Sequence, residues 1–371
     1  MRSGMLRKFL FLRAETISYL PVGRQKVRQY KHYTFGNDKV EEDVSIHILL
    51  QILLLIVGFV CLVKGADIFV GGSSALARYF NVPGLIIGLT IVALGTSAPE
   101  MAVSTVAAFQ GSNEIALSNV VGSNIFNLLG VLGICAIIYP LPVDEIVLRR
   151  DFPVAIITTI LLLLITCGPT LFDGRFIEYS MDREVAVVSR PVALILVVMF
   201  IGYIVFLVLK ARKDLSDDAQ TGKEPLWKCF LYILIGLVLI IAGGQAVVNS
   251  AKEIARAAGM TETLIGFTIV AIGTSLPELV TSAVAAGKGE TGMAIGNVIG
   301  SNIFNLLFIL GISALIHPVS INMASVYDLM ILVAVSGISY IYALTSRKIA
   351  CGEGIMMLMI YAADVVFAIL R

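Results

Sequence analysis

The sequence predicts an all-α membrane protein: ten transmembrane helices in two inverted five-helix repeats, with discontinuous helices at the midplane. Three observations lead there. The 371 residues are 58% apolar and 14% charged, against about 45–50% and about 25% in soluble domains. Ten apolar runs have the length of about 20 residues that a membrane span needs. And the segment 88–134 returns as 266–312 without a gap, with 29 of 47 positions identical, which marks an internal repeat.

In chain order the runs are 46–70, 82–109, 114–139, 150–169, 190–210, 227–250, 262–286, 292–317, 322–344 and 352–370. Residues 1–44 form a basic tail, expected to be disordered or absent from the natural product, because nine basic residues precede the first run. Its apolar stretch Phe9–Leu12 is too short for a signal peptide and Arg13 interrupts it. The first repeat then spans 45–210. Residues 211–226 are a polar cytoplasmic connector, and 227–371 hold the second repeat. The 178-residue register extends upstream, pairing Gly65 with Gly243 and Arg78 with Arg256. Five helices per half is an odd number, so the second half enters the bilayer inverted. In such transporters the substrate sits near the midplane, at the repeat interface.

Lys and Arg in short loops set orientation. With the connector inside, eleven basic residues fall on the cytoplasmic side and six opposite. Both termini are therefore expected outside, in a multi-pass protein of the cell membrane. Within the first run, Lys64 and Asp67 read as a local pair without a transport role.

The chemistry lies in Gly95-Thr96-Ser97-Ala98-Pro99-Glu100 and its copy Gly273-Thr274-Ser275-Leu276-Pro277-Glu278. An ionised side chain at a helix centre costs about 2.5–3.5 kcal/mol on insertion scales. Two glutamates at matching places, with no base in the flanking runs, call for a cation. Pro99 lacks an N–H, so the Gly95 carbonyl is expected to lose its helical partner, and Pro277 acts likewise on Gly273. Thr96 and Ser97 precede Glu100 by four and three residues, which in a continuous helix sets their hydroxyls beside their own carboxylate. Thr274 and Ser275 stand the same way to Glu278.

The next run in each half adds a polar stripe: Asn119, Ser123 and Asn127, then Asn297, Ser301 and Asn305. Asn124 and Asn302 lie off it and are expected to cap or pack. Gly296 replaces Ser118 between the copies with no reason visible in the sequence. The donor set is all oxygen, without thiolate or imidazole clusters, which suits hard cations and argues against Zn2+ or Cu+. A net charge of +1 offers nothing to nucleic acid. The scattered cysteines form no disulfide framework, and GTSxPE has no partner base for an enzyme.

The blocks GLTIVALGTSAPE…SNVVGSNIFN and GFTIVAIGTSLPE…GNVIGSNIFN resemble the α-repeats of the Na+/Ca2+ exchanger family, within the Ca2+:cation antiporter superfamily. The compact prokaryotic members are the most similar, and the resemblance covers residues from about 46 to 371. It implies that Glu100 and Glu278 ligate Ca2+ with the carbonyls of Thr96 and Thr274. It implies Na+ sites drawn from the carbonyls of Ala93 and Ala271 and from Ser97, Ser275, Ser123 and Ser301, with Asn127 and Asn305 lining the centre. Some relatives carry Asp at the position of Asn305, and an acid there goes with a K+ requirement; the amide here leans against one. Alternating access driven by the sodium gradient is the implied mechanism. The runs 46–70 and 227–250, which lack the motif, are candidates for the moving pair. K+-dependent exchange, Ca2+/H+ antiport and a Ca2+ channel are the alternatives. No cofactor and no obligate protein partner is expected beyond the bilayer and the transported ions Ca2+ and Na+.

Overall fold

A computed structural model describes residues 37–111, 113–172, 179–213, 224–260, 269 and 271–370. Of the described residues, those up to Leu50 belong to one unit and those from Gln51 onward to another; the site and its scaffold belong to the second. The first helix, α1, runs Asn37–Tyr79, well past the expected 46–70 at both ends. No Gly or Pro interrupts 38–57 to stop it earlier. Residues 1–36 of the expected tail lie outside the described residues.

Then come α2 (Gly84–Thr96), α3 (Ala98–Phe109), α4 (Ile115–Ile138), α5 (Val147–Leu171), α6 (Arg190–Lys213) and α7 (Leu226–Ala257). A short turn α8 (Ala271–Gly273), then α9 (Leu276–Gly287), α10 (Thr291–Ile316), α11 (Met323–Ser346) and α12 (Cys351–Leu370) complete the chain. Among the described residues eight helices are long and apolar enough to span a membrane, or nine if α2 and α3 count as one bent span. The expected run 262–286 lies partly outside the described residues; its remainder holds the short turn α8, the break at Ser275 and the shorter apolar helix α9. The connector's residues 214–223 are likewise outside.

Helices dominate because lipid offers no partner for backbone N–H and C=O groups, so a spanning segment must satisfy its own. The layering is inverted relative to a soluble protein. Leu53, Ile56, Val60, Ile195, Val198 and Val205 are exposed on the outer faces of α1 and α6. The buried set includes Thr96, Ser97, Glu100, Asn127, Glu278, Ser301 and Asn305. The two central helices are α4 and α10: 78% of the apolar window of each is buried, against 11% for α12.

An all-α chain was expected, and two small antiparallel ribbons depart from it. Strand β1 (Leu141–Pro142) pairs with β4 (Lys348–Ile349), and β2 (Glu184–Val188) with β3 (Val319–Asn322). Each joins one loop of the first half to one of the second. They hold β-branched Val185, Val187, Val188, Val319 and Ile321, which favour extended backbone.

Apolar burial gives no drive between helices in lipid, so association rests on close packing of small residues. Helices α1 and α7 meet along glycines seven apart. A Cβ on Gly65 would sit 3.0 Å from the Gly236 carbonyl, and one on Gly236 2.7 Å from the Gly65 carbonyl. Gly58 and Gly243 meet in the same reciprocal way, at 3.0 and 2.8 Å. Gly296 is explained by the same constraint: a Cβ there would lie 2.6 Å from the Leu85 carbonyl of α2.

One ion pair corrects the sequence reading. Asp67 binds Lys288 across the fold, Nζ to Oδ1 at 2.6 Å, and Lys288 also donates to the Asp67 carbonyl at 2.9 Å. Lys64, one turn away, is not its hydrogen-bond partner. The turn after α9 brings the longer-range base closer than helix spacing does.

The seam yields a direct test. Gly243→Val places a side chain against the Gly58 carbonyl and Leu62 N, each 2.8 Å from the new Cβ. Overpacking of this kind costs about 1–3 kcal/mol, read as a lowered unfolding midpoint in detergent micelles. Gly71→Ala, with nothing within 4 Å of its Cβ, is expected to hold or raise the midpoint, because alanine favours a helix interior over glycine.

Candidate functional site

The site forms where two helices break. Between α2 and α3 the axis bends by 48° at Ser97, whose backbone (φ −82°, ψ 11°) is no longer helical. Ser275 has nearly the same conformation, φ −91° and ψ 9°. Pro99 and Pro277 then fall in the first turn of a new helix, where an N–H has no intrahelical partner in any case. This corrects the expectation of an orphaned Gly95 carbonyl. The backbone re-pairs at the break: Ser97 N–H donates to Ala93 at 3.1 Å, and a cap N–H reaches the Gly95 carbonyl. In the second copy Ser275 N–H turns back three residues to Ile272, at 3.2 Å. Ala271 opens the short turn α8.

The break serves the carboxylates. Glu100 and Glu278 both lie in the first turn of the new helix, at the positive end of its dipole, which favours an anion. Both residues are fully buried. Among the described residues no ion pair involves either.

The hydroxyls are exchanged between halves. Ser97 donates to Glu278 Oε1 at 2.7 Å, and Ser275 donates to Glu100 Oε1 at 3.0 Å. Each serine was expected beside the carboxylate of its own half. The bend defeats that spacing rule, which holds only along an unbroken helix. Ser301 Oγ lies 3.0 Å from Ser97 Oγ. Thr96 donates to Asn297 Oδ1 at 3.0 Å, and Thr274 to Asn119 Oδ1 at 3.5 Å, again across the halves.

Asn119 and Asn297 brace the acid-bearing helices. Asn119 Nδ2 donates to the Glu100 carbonyl (3.2 Å) and to Ser104 Oγ (2.9 Å). Asn297 Nδ2 donates to the Glu278 carbonyl (3.4 Å) and to Ser282 Oγ (2.9 Å). Ser104 and Ser282 escaped the sequence reading. Their signal was present: both lie four residues after a motif glutamate and recur at the 178-residue offset.

The core of α4 and α10 is a cross-braced set of asparagines. Asn127 Nδ2 donates to Asn302 Oδ1 at 3.1 Å and Asn305 Nδ2 to Asn124 Oδ1 at 2.9 Å. Asn127 and Asn305 each open a π-helical turn, Asn127–Val131 and Asn305–Ile309, a local widening often found at functional sites.

Five buried oxygens of these residues have no hydrogen-bond partner among the described residues: Glu100 Oε2, Glu278 Oε2, Asn127 Oδ1, Asn305 Oδ1 and Ser123 Oγ. Buried polar atoms are nearly always satisfied, so this group calls for something more. Four can only accept, and two belong to carboxylates. A cation answers both facts, and an all-oxygen set suits a hard one.

Among known proteins, the family described as sodium/calcium exchanger protein matches residues 50–209 and 228–370. The sodium/calcium exchanger MaX1 of Methanosarcina acetivorans is 33% identical over 346 residues, covering 86% of this chain and 98% of its own. Inner membrane protein YrbG of Escherichia coli is 35% identical over 302 residues, 77% of this chain and 87% of its own. A solved structure of the sodium-calcium exchanger NCX_Mj, soaked with 10 mM Na+ and zero Ca2+, matches with a TM-score of 0.73 at 31% identity. It covers 86% of this chain and 99% of that one.

The exchange of hydroxyls predicts where energetic coupling will be found. In a double-mutant cycle read by chemical unfolding in micelles, Ser97→Ala and Glu278→Leu, each of which removes the bond, should couple by about 1.5–3 kcal/mol, the range for a hydrogen bond to a charged group. Ser97→Ala and Glu100→Gln, in the same half, should be closer to additive.

Proposed function

This chain belongs to the sodium/calcium exchanger protein family, and from that premise we propose an antiport cycle in which Ca2+ and Na+ compete for one central set of oxygens. The observation that carries the reading is the pair of buried carboxylates, each with one unpartnered oxygen and, among the described residues, no ion pair. Their joint charge of about −2 is the charge one Ca2+ neutralises, and carboxylate oxygens are the ligands Ca2+ prefers.

In this reading Glu100 and Glu278 ligate Ca2+ together with the carbonyls of Thr96 and Thr274. Na+ takes the carbonyls of Ala93 and Ala271 and the hydroxyls of Ser97, Ser275, Ser123 and Ser301. The Ala93 carbonyl already accepts one N–H, but a carbonyl has a second lone pair to offer. Asn127 and Asn305 line the centre. Their being amides, not acids, supports exchange that needs no K+.

Two inverted halves, 45–210 and 227–371, joined by a cytoplasmic connector at 211–226, would present this set alternately to the two sides. Helices α1 and α7 carry no motif residue, and their glycine seam supports a single body moving against the rest. Loaded states alone cross, because an ion-free site would carry two uncompensated carboxylates through a low dielectric. The excess of basic residues in the loops supports a cell-membrane protein with both termini outside, expelling Ca2+ at the expense of the sodium gradient. Any net charge moved per cycle couples to the membrane potential at about 2.3 kcal/mol per 100 mV.

Reconstitution into liposomes tests the cycle. With Na+, K+ and H+ gradients imposed one at a time, only an outward Na+ gradient is expected to drive 45Ca2+ uptake. Glu100→Gln and Glu278→Gln should each reduce uptake to background. Uptake driven by a pH gradient alone would assign the glutamates to proton exchange instead.

A further inference from the structure

We propose that Asn124 and Asn302 are positioning residues, each holding the amide of the other half's ion-site asparagine so that its oxygen, not its NH2, faces the ions. The inference rests on the proposed exchange cycle, in which Asn127 and Asn305 line the centre.

Two backbone carbonyls set the order. Asn124 Nδ2 lies 3.1 Å from the Asn302 carbonyl, and Asn302 Nδ2 lies 3.3 Å from the Asn124 carbonyl. A carbonyl can only accept, so the atom facing it must be the amide nitrogen. That fixes both side chains without appeal to anything else. Each then turns its Oδ1 to the other side. Asn302 Oδ1 faces Asn127 at 3.1 Å, and Asn124 Oδ1 faces Asn305 at 2.9 Å.

An amide oxygen accepts and cannot donate. The atoms of Asn127 and Asn305 that meet it must therefore be their nitrogens. Their oxygens are left pointing the other way, and these are the buried acceptors without a partner. All four side chains are buried, so no water competes to reverse the order. The assignment passes from backbone to ligand atom, and it crosses between α4 and α10 twice.

The consequence concerns cations directly. An asparagine offers a ligand through its oxygen and a repulsive dipole through its NH2, and the two faces have nearly the same shape. Packing alone cannot choose between them. Removing the acceptor at 302 lets the Asn127 amide rotate by half a turn. A carboxylate at position 127 has two equivalent oxygens and needs no such choice.

The experiment is 45Ca2+ exchange in proteoliposomes with Asn302→Leu, alone and combined with Asn127→Asp. Outer partners of metal ligands are worth about 10- to 100-fold in affinity. Asn302→Leu is therefore expected to raise the KM for Ca2+ by about tenfold or more, with the maximal rate largely retained. In the Asn127→Asp background, where Asn302 Oδ1 would face a carboxylate oxygen and no NH2, the same substitution should not raise KM. Asn124→Leu should act likewise through Asn305, and gives a second route should Asn302→Leu fail to fold. An unchanged KM, or an equal rise with and without Asn127→Asp, would overturn the proposal while wild-type exchange still stood. So would failure of both leucine variants to fold, which would make the two amides structural. Absence of Na+-driven uptake by the wild type would reject the underlying exchange reading instead.

Discussion

Two acids enclosed in a membrane protein, with no ion pair to either among the described residues, impose most of what surrounds them. Ionised carboxylates in low dielectric need compensation from dipoles, hydrogen bonds and cations. The helix breaks at Ser97 and Ser275 supply the first by placing each acid at a fresh helix N-terminus. The serines supply the second. In the proposed cycle the third comes from the transported ions, which the unpartnered oxygen of each acid is free to meet. A more complete protein cage would hold the acids too well to release a cargo.

The scaffold follows from the solvent. Polar groups gather at the centre because lipid cannot solvate them, and the outer faces are left to Leu, Ile and Val. Packing between helices must then come from close backbone approach. That accounts for glycine at seven-residue spacing along α1 and α7, and for Gly296 against α2. The ribbons β1–β4 and β2–β3 tie loops of the two halves together.

Much of this was legible in the residues. Intramembrane glutamates, prolines beside them and a gapless repeat point to paired helix breaks with a buried acid at each, because each feature is costly in lipid unless used. What escaped depends on geometry that spacing cannot carry. Ser97 sits three residues before Glu100, yet bonds Glu278, since the 48° bend turns it away from its own helix. Asp67 has Lys64 one turn away, yet bonds Lys288, which the fold returns to it. Asn124 lies off the polar stripe of α4, and only contact with α10 reveals what its amide does. Each is a pairing between distant segments, where local periodicity has no information. Of the span expected at 262–286, α8 and α9 lie among the described residues.

The exchange of serines also bears on how the protein is made. Ser275 follows Glu100 by 175 residues, and synthesis proceeds at about 5–20 residues per second. On the order of ten to thirty seconds therefore separate the two leaving the ribosome. Throughout that interval the nascent first half holds an acid whose hydroxyl partner does not yet exist. Its early insertion must be sheltered by the translocation machinery, by water or by a borrowed proton, until the second half arrives to take over.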